Sequence, residues 1–447
     1  MALYAQISPP RDLVAGRAAA IDVPNLDPEA VRTCGQADPI VGSAGKDPLH
    51  GIMIPRGFPN YIMIPDRQIP TKAFVVDAPG ASFVLPDVVL DEVRPHEVLV
   101  EMSTGLCHTD IVVQQGAIPI GEYPAVLGPE GAGMVRRVGS SVKDKNLAEG
   151  DQVFLSFTTC DSCHSCEEGH LGFCRQFMPL NFAGVRGISA ADSPISTKDG
   201  KPIRGQFFGQ SSMGKLAIVS ETSIVKSPAG LKITDADMGP LSPLGCGYLT
   251  GAGTIFNVLK SRPSDSLVVL GMGAVGLSAL LAARAQGVKN VVAVDLVDAK
   301  LELATSLGAS HTLNTTQVPD LAHGLREMFP NGVDHVVDTT GVAPLLESSV
   351  KALGHAGTLV IVGVARAGSV VNIGPLDLMV NCKRIIGAIE GSSNPAVLLP
   401  QLLDLYKQGN FPIDKLAKVY DINSLDQALE DLHSGKVIKP VIKWMDL

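Results

Sequence analysis

The chain has 447 residues, 45% hydrophobic and 18% charged, which suits two or more packed domains and excludes a disordered polypeptide. A net charge of −9 gives no general electrostatic reason to bind nucleic acid or an anionic membrane. No uninterrupted apolar run is long enough to span a bilayer, and Met1–Ala20 lacks the apolar core of a secretory signal. Four of the eight cysteines cluster at metal-like spacing, which points to a reducing, cytoplasmic setting.

Residues 1–68 are rich in Pro, Gly and Ala and show no sustained periodicity. They read as an irregular extension, and Cys34 within it carries no assigned role. From Thr71 the texture changes. Short runs at Lys72–Val76, Phe83–Leu85, Val88–Leu90, Glu97–Met102, Met134–Val138 and Gln152–Phe157 are separated by Pro, Gly and Asp. They predict a mostly β domain with its chemistry on loops.

Thr104-Gly-Leu-Cys-His-Thr-Asp110 follows one such strand. Cys107 is a potential thiolate ligand, Thr109 a hydroxyl able to pass a proton, and Asp110 an acid behind them. Taken alone, a buried cysteine is more often inert packing than a ligand. Leu127-Gly-Pro-Glu-Gly-Ala-Gly133 is a turn in which Glu130 is either a solvated loop charge or an acid held in apolar surroundings. Cys160-x-x-Cys163-x-x-Cys166-x7-Cys174 is more specific. Four thiolates this close can cage one zinc with no position left for water, so the site is expected to be structural, with disulfides as the alternative. His164 and His170 are then ordinary loop residues. Farther on, Cys246 is another possible metal ligand, and Thr250 lies near where a nicotinamide ring would rest.

Leu267–Leu270 reads as a buried parallel strand, followed by Gly271, Gly273 and Gly276 in the order G-x-G-x-x-G. Val275 inside that motif is expected to face the cofactor. Leu277–Gln286 is the helix whose N-terminus would meet a pyrophosphate, and Val291–Val294 is the next strand. Asp295 ends it, where an acid binds ribose hydroxyls and would repel the extra phosphate of NADP, so NAD is expected. The α/β rhythm persists through Lys300–Leu307, Val333–Asp338, Leu345–Ala352 and Thr358–Val362 and predicts a doubly wound parallel sheet. Beyond about Ala388 the chain leaves that sheet. Val397–Gln408 and Ser424–Ser434 read as amphipathic helices. Val437–Trp444 reads as a closing strand, with Pro440 marking an edge.

Together the four-cysteine lobe, GMGAVG with its following Asp, and GLCHTD resemble the zinc-containing medium-chain alcohol dehydrogenases, from about Ile69 to Leu447. CRQFMPLNFAG, GQFFGQSS, SPLGCGYLTGAG and AIEGSSNP resemble the benzyl (aryl) alcohol dehydrogenase branch. The resemblance implies an α/β fold in which a Rossmann domain, 248–388, is inserted in a β-rich GroES-like catalytic domain, 69–247 and 389–447. It also implies a homodimer or homotetramer acting on a small alcohol or aldehyde. Cys107 and Cys246 match catalytic zinc ligands, Thr109 the hydroxyl that bonds the substrate, and Glu130 an acid behind the zinc. His108 and Lys439 match residues on the cofactor pyrophosphate, and Asp295 and Lys300 the pair at the adenosine ribose. The implied reaction is NAD-dependent oxidation of a primary aromatic or allylic alcohol. Zinc would lower the pKa of the alcohol, and Thr109 would take its proton.

Two positions depart from the family pattern. Pro129 stands where the middle zinc ligand is a histidine, and proline has no donor atom, so Glu130 is the candidate third ligand. Val112 stands where many members place a proton-relay histidine, so the proton would leave Thr109 through water or a cofactor hydroxyl. Pro129 also raises two other readings: a zinc-independent enone or quinone reductase, and an NAD-binding protein without turnover.

Overall fold

The structure, a computed structural model, describes residues 68–444 apart from 119–121, 185, 187–191 and 367. These residues lie in the unit Ile64–Leu447. The expected extension, with Cys34, falls outside them except for its last residue.

Leu267, Val268, Val269 and Leu270 are fully buried, as a parallel strand covered on both faces requires. Their strand, Ser266–Leu270, lies at the centre of a six-stranded parallel sheet. The strands run in the order His311–Asn314, Asn290–Asp295, Ser266–Leu270, Val333–Asp338, Leu353–Ile361, Arg384–Gly387. The order reverses beside Ser266–Leu270, and such a switch point opens a crevice at the carboxyl ends of the strands. The expected helices form with ends shifted by a few residues, as Ala274–Ala285, Asp298–Ser306 and Ala343–Ala352. The two outermost strands, His311–Asn314 and Arg384–Gly387, are too short and mixed to stand out in the sequence.

A second sheet takes strands from both ends of the described chain. Its order is Ile224–Lys226, Gln152–Leu155, Gly131–Val138, Glu97–Gly105, Lys439–Lys443, Ala417–Asp421. Glu97–Gly105 is the axis of this sheet. One edge pairs with Gly131–Val138. The other is shared between Leu216–Ser220 and the C-terminal strand. A smaller antiparallel sheet joins Ile69–Lys72, Asp87–Leu90, Ile195–Thr197 and Pro202–Ile203.

Two expectations are corrected. Lys439–Lys443 is not an edge, since it pairs with strands on both sides. Pro440 is tolerated because the ladder to Glu97–Gly105 begins only at Val441, and the Pro440 carbonyl accepts the Leu106 N–H at 3.0 Å. Phe83–Leu85 is not a strand. Only Val84 bridges, to Val75, before Pro86 removes the next donor.

The helix Gly247–Gly253 connects the two sheets. It packs on Ala274–Ala285, and the Ser278 hydroxyl donates to the Tyr248 carbonyl at 2.5 Å. No helix among the described residues is long and apolar enough to cross a membrane.

Candidate active site

The glycine turn is built for close approach. Gly271 has φ +88°, the left-handed region that only glycine enters without penalty. A Cβ on Gly276 would stand 1.8 Å from the Gly271 carbonyl oxygen, so glycine alone lets the helix close on the turn. A Cβ on Gly273 would meet nothing within 4 Å. That open face, at the N-terminus of Ala274–Ala285, fits a pyrophosphate. The Asp295 carboxylate accepts the Met272 N–H at 2.7 Å and those of Leu296 and Val297 at 2.8 and 3.0 Å. It is therefore fixed beside the turn.

A cavity of about 380 Å³ lies between this turn and the second sheet. Gly271, Gly273, Val275, Asp295 and Lys300 line one side, and Cys107, His108, Glu130 and Lys439 the other. Nine of the residues singled out in the sequence thus meet in one crevice.

Cys107 caps the helix His108–Gln114, and its thiol points to the Thr109 hydroxyl at 3.4 Å. Asp110 is buried and holds the loop from below. Its carboxylate accepts the Cys107 N–H and the Gly128 N–H, both at 2.9 Å. Burial pushes its pKa up to about 7 despite the Cys107 bond, and the Glu130 charge adds to the rise. His108 is shifted down, first by burial and then by the positive charges of His433 and Lys439.

Glu130 is fully buried and paired. Lys439 Nζ donates to its two oxygens at 2.9 and 2.8 Å and to the Leu106 carbonyl at 3.1 Å. The Gly247 N–H adds a bond at 3.2 Å. Burial works to discharge Lys439, but Glu130 outweighs it and its pKa is raised. The resemblance puts Lys439 on a cofactor phosphate. Here it lines the cavity with its ammonium committed to Glu130.

Cys107, Glu130 and Cys246 bring one ligand-type atom each within 4.8 Å of one another, and all three residues are buried. Two thiols and a carboxylate at that spacing are a donor set that suits zinc. The hydrogen bond with Cys107 and then burial raise the Cys246 thiol well above its usual pKa. A bound cation would reverse that shift. Pro129 contributes only its carbonyl, which accepts Gln210 Nε2 at 2.9 Å.

The four-cysteine lobe closes as the spacing suggests. The sulfurs stand at 3.5 Å for Cys163–Cys166, 3.6 Å for Cys174–Cys160 and 3.9 Å for Cys160–Cys166. These separations match the ~3.8 Å edge of a tetrahedron with ~2.3 Å metal–sulfur bonds. All four cysteines are free rather than disulfide-bonded.

Sequence reasoning missed two residues. His433 ends the helix Leu425–His433 and lines the cavity. Glu390 is buried against Cys246, with Oε1 3.7 Å from the Cys246 sulfur. Its Oε2 accepts the Thr250 hydroxyl at 3.2 Å. Burial pushes Glu390 up to about 7. The available signal was an isolated acid at the end of the apolar run Ile385–Ile389.

Glu130→Gln leaves the Lys439 ammonium buried without its carboxylate. We expect a loss of about 3–5 kcal/mol in chemical denaturation. An unchanged midpoint would contradict the pairing.

With the geometry described, comparison with known proteins gives a consistent answer. Residues 94–229 match the alcohol dehydrogenase GroES-like domain, and residues 274–408 the zinc-binding dehydrogenase domain. The chain is 36% identical over 376 residues to geraniol dehydrogenase of Castellaniella defragrans, covering 84% of this chain and 98% of that protein. A solved structure of an alcohol dehydrogenase zinc-binding domain protein from Burkholderia ambifaria aligns with TM-score 0.79 and 39% identity, over 84% of this chain and 99% of the other. Benzyl alcohol dehydrogenase from Acinetobacter calcoaceticus aligns with TM-score 0.78 and 37% identity, over 84% and 100%. The Rossmann sheet, the GroES-like half and both cysteine clusters thus sit in a chain that belongs to the zinc-containing medium-chain alcohol dehydrogenase family.

Proposed function

We propose that the protein is an NAD-dependent dehydrogenase interconverting a primary aromatic or allylic alcohol and its aldehyde. The observation that carries this reading is one cavity lined by Cys107 and Glu130 on one side and the Gly273–Asp295 turn on the other, with the Cys246 thiol within 4.8 Å of the Cys107 sulfur and a Glu130 oxygen. The geraniol and benzyl alcohol relatives support an allylic or aromatic substrate.

Cys107 and Cys246 hold a metal, with a carboxylate from Glu130 or Glu390 beside them. A metal held there would supply Lewis acidity, and a nicotinamide cofactor in the crevice would supply hydride-transfer chemistry. The chain positions these groups and handles the proton. Asp110 fixes the Cys107 loop through two backbone N–H groups. Thr109, the second residue of the helix that Cys107 caps, accepts the substrate hydroxyl proton. Val112 provides no relay, so the proton continues through water or a cofactor hydroxyl. Lys300 and Asp295 take the adenosine ribose, and His108 the pyrophosphate. The Cys160, Cys163, Cys166 and Cys174 lobe holds a structural zinc.

A second copy of the chain is the expected partner. Leu376, Met379 and Val380 are 67%, 69% and 55% exposed on the helix Pro375–Val380. The open sheet edge Arg384–Gly387 follows directly. Exposed apolar side chains beside a strand edge that is open among the described residues suit a contact between copies.

Three measurements check this reading. Cys107→Ala should cut benzyl alcohol oxidation by more than about a thousandfold, a loss of ~4 kcal/mol of transition-state stabilisation. Unchanged turnover, or chelator-insensitive reduction of enones, would support the metal-free reductase instead. NAD should be preferred over NADP by at least about tenfold in kcat/KM, ~1.4 kcal/mol, and Asp295→Asn should narrow that ratio. Turnover with NADP alone would reject the role of Asp295. Light scattering should give a multiple of the monomer mass, and a monomer at micromolar concentration would reject the oligomer.

A further inference from the structure

Two buried carboxylates lie near the cysteine pair in different surroundings: Glu130 has an oxygen within 4.8 Å of both sulfurs, and Glu390 has one 3.7 Å from the sulfur of Cys246. Glu130 has a cation, Lys439, on both oxygens. Glu390 is 6% exposed, and among the described residues no Lys, Arg or His bonds it. Its neighbours are the Cys246 thiol at 3.7 Å and the Thr250 hydroxyl at 3.2 Å. A carboxylate buried without a counter-charge is costly, and a dication at the adjacent thiols would remove that cost. If Glu130 bound the metal instead, Lys439, itself 4% exposed, would keep only the Leu106 carbonyl. Stranding that ammonium would leave an uncompensated buried charge, which is strongly unfavourable.

The backbone around Glu390 is strained. Glu390, Gly391 and Ser392 have φ of +47°, +58° and +49°, three left-handed residues in a row. The two that are not glycine hold a conformation that L side chains disfavour. Neighbours hold the turn in place. Asn257 Nδ2 donates to the Gly391 carbonyl and to Ser393 Oγ, both at 3.2 Å. The four-cysteine lobe braces the far side. The Gly172 N–H donates to the Ser393 carbonyl at 3.2 Å, and Asn394 Nδ2 to the Gly169 carbonyl at 3.4 Å.

We propose that Glu390 is the third protein ligand of the metal held by Cys107 and Cys246, supplying the donor that Pro129 lacks. The proposal rests on the metal-dependent reading above. It assigns Glu130 to Lys439 and gives the four-cysteine lobe a second task, that of fixing the turn that carries Glu390.

The test is metal content and affinity in the full-length protein, by elemental analysis after dialysis and by the visible spectrum after cobalt(II) substitution. The unsubstituted protein should hold about two metals per chain, one in each cluster. Glu390→Gln should hold about one, with the metal retained in the four-cysteine lobe reporting that the chain has folded. Affinity at the cysteine pair should fall by more than about a hundredfold, beyond the ~10–100-fold typical of residues that only orient ligands. Adding Pro129→His to Glu390→Gln should restore the second metal, which separates loss of a ligand from damage to the turn. The assignment is overturned if Glu390→Gln keeps the second metal with unchanged affinity and cobalt spectrum, for Glu390 is then only a neutral hydrogen-bonded acid. One metal per chain in the unsubstituted protein would instead overturn the metal-dependent reading, and this assignment with it.

Discussion

The buried pair Glu130–Lys439 is the contact on which the site depends. It joins residues 309 positions apart, one on the turn before Gly131–Val138 and the other on the C-terminal strand. A buried ion pair is weak support for stability, because desolvation consumes most of the attraction. It is strong support for geometry, because neither partner can leave without stranding the other. Through the Gly247 N–H the same carboxylate also reaches the helix that leads into the Rossmann half. Three segments are thereby held around one point, and the cavity forms between them.

The constraint also decides what Pro129 does to the molecule. Pro129 has no donor where the resemblance implies an imidazole, and its carbonyl accepts Gln210 Nε2. The effect falls on the carboxylates. Glu130 cannot be released cheaply from Lys439. Glu390 has no cation of its own, and a strained turn fixes it beside Cys246. The catalytic half and the four-cysteine lobe are therefore coupled by Gly172 and Asn394, which bond across to the Glu390 turn or next to it. Distortion of that lobe would be felt at the cysteine pair through two hydrogen bonds.

Part of this protein is legible residue by residue. The nucleotide half obeys local rules, since strand, glycine turn, helix, strand and acid follow one another between Ser266 and Asp295. The period of the apolar residues and the glycine positions carry that information without distant contacts. The four-cysteine lobe is equally local, because its ligands lie within one short loop. The Pro440 reading went wrong for the opposite reason. Whether a strand is an edge depends on what arrives beside it, here Glu97–Gly105 from the far end of the described chain.

The sequence by itself therefore determined the Rossmann turn, the four-cysteine cluster and the choice of Cys107 and Cys246 as candidate metal ligands. Each rests on spacing within one segment or on a motif of a few residues. Only the tertiary structure decided which acids sit at those thiols, which of them is already neutralised, and how Thr250 and Lys439 are engaged. Cys107, Glu130, Cys246, Glu390 and Lys439 lie on five separate segments. The charge state of a buried carboxylate depends on which cation reaches it in space, and no local pattern in the chain records that distance.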